Sequence, residues 1–179
     1  MSGNTWWTNW LDAISGNNTI PEQYSYHLEG DTDDWNNDIQ NTNNTLAEML
    51  KAYKLSDRQI NINEYADYGE QVPAGAAWWI SRLERYNAFG LRGNWLSGWT
   101  LHDLMANLLT KKTDPSDYNA TDYAPAPEYQ VYKYYNLNMT GHRLETTGTG
   151  DRIVDVYATV DSDKSGFSRA LASHQEIGR

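Results

Sequence analysis

The chain has 179 residues, long enough for one domain with its own core and short of the ~250 residues of a complete (β/α)8 barrel. Its formal net charge of −10 argues against a nucleic-acid partner, whose phosphates call for basic patches, and the absence of Cys excludes disulfides, thiol nucleophiles and thiolate metal sites within the chain. Aromatic usage favours residues with a polar handle: Trp 8 and Tyr 13 against Phe 2, a balance suited to surfaces that are apolar and wet together.

Thr5 can cap a helix whose apolar face is Trp7, Trp10, Leu11 and Ile14. After Pro21, Tyr24 to Glu29 reads as a strand, and residues 31–44 as an acidic, Asn-rich loop with a helical turn near Trp35. Thr45-Leu46-Ala47-Glu48 has the form of a capping box opening a helix with Leu46, Met49, Leu50 and Tyr53 on one face. Ile60 to Ala66 reads as the next strand. Pro73 fits the first position of a helix over Ala74–Phe89, with Gly90 as its C-terminal stop. Leu91 to Trp95 gives a third strand, and Leu101, Leu104, Met105 and Leu108 mark a fourth helix.

The strand starts lie about 36 and 31 residues apart, the size of a βαβ unit. The expected class is therefore α/β, with three strand–helix units in parallel. Residues 111–127 read as a polar loop and Glu128–Thr140 as a Tyr-rich helix. Beyond the Thr146–Gly150 turn the period becomes two: Val154, Val156, Ala158 and Val160 alternate with Ile153, Asp155, Tyr157 and Thr159. That is an amphipathic strand of the antiparallel type. The expected division is residues 1–145 for the α/β part and 146–179 for a β-rich module too short to complete a sheet.

Glu64 is the leading candidate for chemistry, as a carboxylate at the C-terminal tip of a parallel strand. A surface Glu at a strand end is the competing account. Strict alternation would put Glu64 on the same face as Ile60 and Ile62 and turn Asn61 and Asn63 under the helices; a bulge near the strand end resolves the conflict. His27 and Glu29 share a face of the first strand with Ser25 and can line the same rim, although a lone His is more often structural. Arg92, Asn94 and Trp95 close the third strand, and Trp95 or Trp99 can stack on a sugar ring; core burial competes for both indoles. No Walker A, dinucleotide-loop, nucleophile-elbow or His-Glu-x-x-His pattern occurs, so no cofactor or metal is expected.

Four Asn-x-Thr sequons, at Asn17, Asn43, Asn119 and Asn138, point to a secreted, glycosylated protein. The residues after Met1 lack a basic flank and an apolar signal core, which an upstream segment would reconcile with secretion. No run reaches the length of a membrane span.

Four segments carry a family resemblance: Ile62-Asn63-Glu64-Tyr65-Ala66, the run Trp78 to Asn87, Gly93-Asn94-Trp95-Leu96, and the run Tyr129 to Gly141. Together they resemble the C-terminal half of fungal glycoside hydrolases of clan A, nearest to the family 39-like group, over about residues 20–160. The resemblance implies a partial (β/α)8 TIM barrel, with the three strands as its sixth to eighth, followed by the start of an appended β-sandwich. It implies that Glu64 is the nucleophile of a retaining glycosidase, that Trp95 is the eighth-strand aromatic beside the catalytic subsite, and that Tyr65 joins His27, Glu29, Arg92, Asn94 and Trp99 at the substrate. Asn63-Glu64 also looks like the clan's acid/base pair; the elements that follow favour the seventh strand. The implied ligand is carbohydrate. A chain with one of two carboxylates is expected to be inactive alone, or to be a non-catalytic sugar-binding protein, and its open strand edges favour self-association.

Overall fold

The structure is a computed structural model that describes residues 5–28, 38–67, 69–93, 108–114, 116–117, 119–161 and 166–174. Among the described residues it is a mixed α/β arrangement of four helices and eight strands in three small sheets. The candidate site depends on the first sheet and on the helices that cover one of its faces.

Helix α1 (Thr5–Asn17) buries Trp7, Leu11 and Ile14, the stripe its spacing predicts. Trp7 and Trp10 meet Tyr26 and Tyr24 edge-on at 6.1 and 6.0 Å, which seats the helix on the first strand. Strand β1 (Gln23–Leu28) alternates exposed and buried without a break, with Tyr24, Tyr26 and Leu28 inward.

Helix α2 (Ile39–Tyr53) begins six residues before the capping box expected at Thr45. Thr45 lies inside the helix and its hydroxyl donates to the Asn41 carbonyl at 2.8 Å. The earlier start follows from burial: Ile39, Leu46 and Leu50 form one apolar stripe, and Ile39 is completely enclosed. Lys54, in the left-handed conformation with φ 56°, ends the helix.

Strand β2 (Gln59–Tyr65), helix α3 (Pro73–Arg85) and strand β3 (Phe89–Arg92) complete two parallel crossovers, and the strand order is β1-β2-β3. Sequential order with right-handed crossovers places α2 and α3 on the same face. One core joins that face to α1, α2 and α3 through Tyr24, Ile62, Tyr65, Leu46 and Trp79.

Pro73 opens α3 as predicted, but the helix stops at Arg85, well short of Phe89. Asn87, with φ 48°, supplies the left-handed residue, and the Ala88 N–H returns to the Leu83 carbonyl at 2.9 Å. Gly90 is therefore a strand residue. A Cβ there would come within 2.6 Å of Leu83 Cδ1 and 2.9 Å of the Tyr65 ring, so glycine lets β3 lie close under α3.

Residues 101–107 of the fourth expected helix fall outside the described residues, as does Trp35, and Leu108 lies in a turn. The segment expected to be a polar loop, residues 111–127, contains strand β5 (Tyr123–Pro125), which pairs antiparallel with β4 (Leu109–Lys111). Helix α4 (Pro127–Asn138) matches the Tyr-rich run.

The terminal strands do form a sheet. Strand β7 (Val154–Val160) pairs antiparallel with β6 (His142–Arg143) and β8 (Ser168–His174). The expected boundary after residue 145 thus falls between β6 and the strand it pairs with. This small sheet packs on α3 and α4, with Ile80, Met139 and Tyr157 as its core. An amphipathic strand would turn its valines inward, yet β7 buries Asp155, Tyr157 and Thr159 and leaves the valines half-buried. Arginines explain the reversal: Arg82 and Arg85 of α3 both hold the Asp155 carboxylate, Arg82 at 3.1 Å.

Candidate active site

Sheet pairing locates the feature that orients Glu64. Gln23, Tyr24, Ser25 and Tyr26 of β1 face Gln59, Ile60, Asn61 and Ile62 of β2 in step, and then His27 faces Glu64. Asn63 is the extra residue. The pairing with β3 slips at the same place, from Ile62 opposite Gly90 to Tyr65 opposite Arg92. This bulge keeps Ile60 and Ile62 under the helices, returns Tyr65 to that same side, and turns Glu64 to the open face with Asn61.

On the open face His27 Nδ1 lies 3.4 Å from Glu64 Oε2. The Asn63 amide nitrogen lies 3.2 Å from Nε2 of the same ring. With Asn63 donating to Nε2, the imidazole proton sits on Nδ1, the atom turned toward Glu64, which suits an ionised carboxylate. The side chain of Glu64 is 28% exposed and that of His27 49%, so both are reachable from solvent. Ser25 and Asn61 stand on the same face, and β3 adds Phe89 and Leu91, 59% and 57% exposed.

Two residues expected at the substrate are turned elsewhere. Tyr65 is buried on the helix side, its ring 5.2 Å from that of Trp79 and its hydroxyl 2.7 Å from that of Tyr132 on α4. Arg92 is buried too, 2.6 Å from a Glu128 carboxylate oxygen and 5.8 Å above the Tyr65 ring. Both residues join β2 and β3 to α4, so the expectation that they contact substrate is corrected: the bulge sends Tyr65 inward, and Glu128 draws Arg92 after it. Glu29, Asn94, Trp95 and Trp99 lie outside the described residues. Of the sequon residues, Asn17, Asn119 and Asn138 are exposed, and Asn43 is half-buried within α2.

Behind the strand tip, burial pushes two carboxyls up to about 7. Glu128 is raised by burial against the opposing pull of Arg92, and Glu70 by burial against the backbone hydrogen bond from Asp67. The Glu70 carboxylate accepts the Asp67 N–H at 3.0 Å, and Asp67 accepts the Glu70 N–H at 3.0 Å, which closes the turn after β2. Sequence reasoning read Glu128 only as a helix start and did not mark Glu70. Nothing local signals either, because their environment is built by segments distant along the chain.

No family model matches the chain, and no curated protein matches it. Among solved structures, that of N2152 from Neocallimastix frontalis is similar, with a TM-score of 0.66 and 24% identity over 88% of this chain. The likeness is one of fold. The chain spans 36% of the length of that structure.

Proposed function

We propose that this chain carries the nucleophile side of a retaining glycoside hydrolase, with β1, β2 and β3 as consecutive strands of a (β/α)8 barrel and Glu64 as the nucleophile. The observation that supports this most is the Asn63 bulge, which presents Glu64 on the open face beside His27 at the tip of the middle parallel strand. In this reading the Glu64 carboxylate attacks the anomeric carbon and forms a glycosyl ester as the bond to the leaving oxygen breaks, and a second carboxyl group, in its protonated form, gives that oxygen its proton. His27, through its Nδ1–H, aims the Glu64 carboxylate.

Between their bounds the three strands contain no other Asp or Glu, so the acid/base group comes from another element. Attack on an activated substrate needs only the nucleophile. The test is therefore a fluorosugar bearing a dinitrophenolate leaving group, which departs without acid assistance. Peptide mass spectrometry is expected to find the sugar on Glu64, with no label in Glu64→Gln. No label, or label elsewhere on the folded protein, refutes the assignment.

A second reading, a non-catalytic sugar-binding protein, draws on the exposed Phe89 and Leu91 beside the same carboxylate. Oligosaccharide binding that survives Glu64→Ala and fails in Phe89→Ala would favour it. The secreted, glycosylated assignment belongs with either reading and rests on the four sequons, three of which present an exposed Asn.

A further inference from the structure

At the other end of the sheet, among the N-terminal ends of β1 and β2, a cleft of about 530 Å3 opens between α2 and the α3–β3 turn. Its lining includes Leu46, Leu50 and Ile60, each less than a tenth exposed, with Asn43 on the α2 side and Tyr86 and Asn87 on the other. Glu64 lies five positions along β2 from Gln59, which also lines the cleft, so these two residues stand roughly 15 Å apart.

We infer that this cleft is a binding site for a neutral sugar of one or two residues, separate from the open face. Its volume lies within the ~300–1,000 Å3 of small-molecule sites. The aliphatic floor suits the C–H face of a pyranose, and the rim suits its hydroxyls. Each hydroxyl is both donor and acceptor, and a side-chain amide offers both on one planar group; Asn43 and Asn87 bring such amides from opposite sides.

The walls are held in place. The Gln59 amide nitrogen donates to the Asn87 carbonyl, and the Tyr24 hydroxyl donates to the Ser56 carbonyl at 3.0 Å. Charge at the rim is mixed. Arg58, whose Nε donates to the Pro21 carbonyl at 3.2 Å, and Asp57 act on the Tyr24 hydroxyl with opposite sign. Glu22 adds one more negative charge, in a protein whose net charge is already −10, so an anionic ligand is disfavoured. Arg58 offsets one of the two rim carboxylates, so the rim carries only a small net charge. The inference is independent of the role of Glu64.

The test is an NMR titration of the full chain, following backbone amides, with cellobiose, xylobiose and maltose, and with glucuronate and glucosamine as charged probes. Millimolar binding of at least one neutral disaccharide is expected, with shifts at Leu46, Ile60 and Asn87. Asn43→Ala and Asn87→Gly are chosen to spare the fold, since alanine favours a helix and glycine accepts the φ of 48° at position 87. Both are expected to weaken binding about tenfold. No shift at tens of millimolar sugar overturns the inference. So do shifts confined to the His27–Glu64 end, preference for a charged probe, or full affinity in both folded variants.

Discussion

The Glu64 carboxylate lies 3.4 Å from His27 Nδ1, and the residue that puts it there is Asn63, the extra member of β2 opposite β1. Were Asn63 paired in step instead of bulged out, Glu64 would fall in phase with Ile60 and Ile62 and point into the helix-covered core, while Tyr65 would turn outward. Deleting Asn63 closes the bulge and leaves Glu64 opposite His27 and Tyr65 opposite Leu28, so it is expected to keep the fold at a cost of about 1–2 kcal/mol. Asn63→Ala preserves the residue count and is expected to cost only about 1 kcal/mol. Urea unfolding of the two variants checks this; loss of the folded state on deletion would show that Asn63 is not the extra residue of β2.

His27 is half-exposed and contacts the site from the neighbouring strand, so its contribution is to Glu64 more than to the fold. His27→Ala is expected to slow fluorosugar labelling of Glu64 by about 10- to 100-fold and to change stability by about 0.5 kcal/mol or less. A large stability loss with labelling intact would reverse the assignment and make His27 structural.

How much of this was readable from the residues alone differs from element to element. Helix α1, strand β1 and strand β2 declare themselves because each buries an apolar face at its own period, and His27 and Glu64 fall together because adjacent parallel strands share a face. Even the bulge was implied, as the escape from asparagines packed under helices. The start of α2 was hidden because residues 39–45 are poor helix formers locally and are recruited by the burial of Ile39. Tyr65, Arg92 and Asp155 misled for one shared reason. Their partners, Tyr132, Glu128 and the arginines of α3, lie 36 to 73 residues away along the chain, and no periodicity encodes them.

Glu70 predicts a pH dependence. Burial raises its carboxyl from 4.5 to about 7, so the fold favours the protonated form. Its contribution to stability is fully present below about pH 4.5 and is lost as pH rises through about 7. Replacing it with an amide that cannot ionise removes that loss. Between pH 5 and 8, Glu70→Gln is expected to gain on the wild type by on the order of 3 kcal/mol. Parallel stability–pH curves for the two proteins would show that Glu70 is not the titrating group.

The ion cluster around Asp155 decides whether the terminal sheet is a separate module or part of the fold. Asp155 is completely buried and is held by Arg82 and Arg85; Arg82 reaches on to Asp38 at the head of α2, 2.8 Å away. The Trp78 indole N–H donates to the Arg152 carbonyl at 2.9 Å, a second tie from α3 to the turn before β7. Two carboxylates and three arginines, with Arg152 3.9 Å from Asp38, therefore lock α2, α3 and β7 together, and α3 is enclosed from Gly75 to Leu83 because a sheet lies on each side of it. Removing one member of such a cluster leaves the others buried without full compensation, which costs about 3–5 kcal/mol. Asp155→Asn is expected to lose that much by urea unfolding, in a single transition. Truncation after Glu145 is expected to expose Ile80 and to end cooperative unfolding, because it removes β7 and β8 along with Asp155. If the protein were modular, Asp155→Asn would unfold the sheet in a first, separate transition, and the truncated chain would melt as the remainder does. Single-transition loss in the variant, together with collapse of the truncated chain, makes the terminal sheet the outer wall of α3.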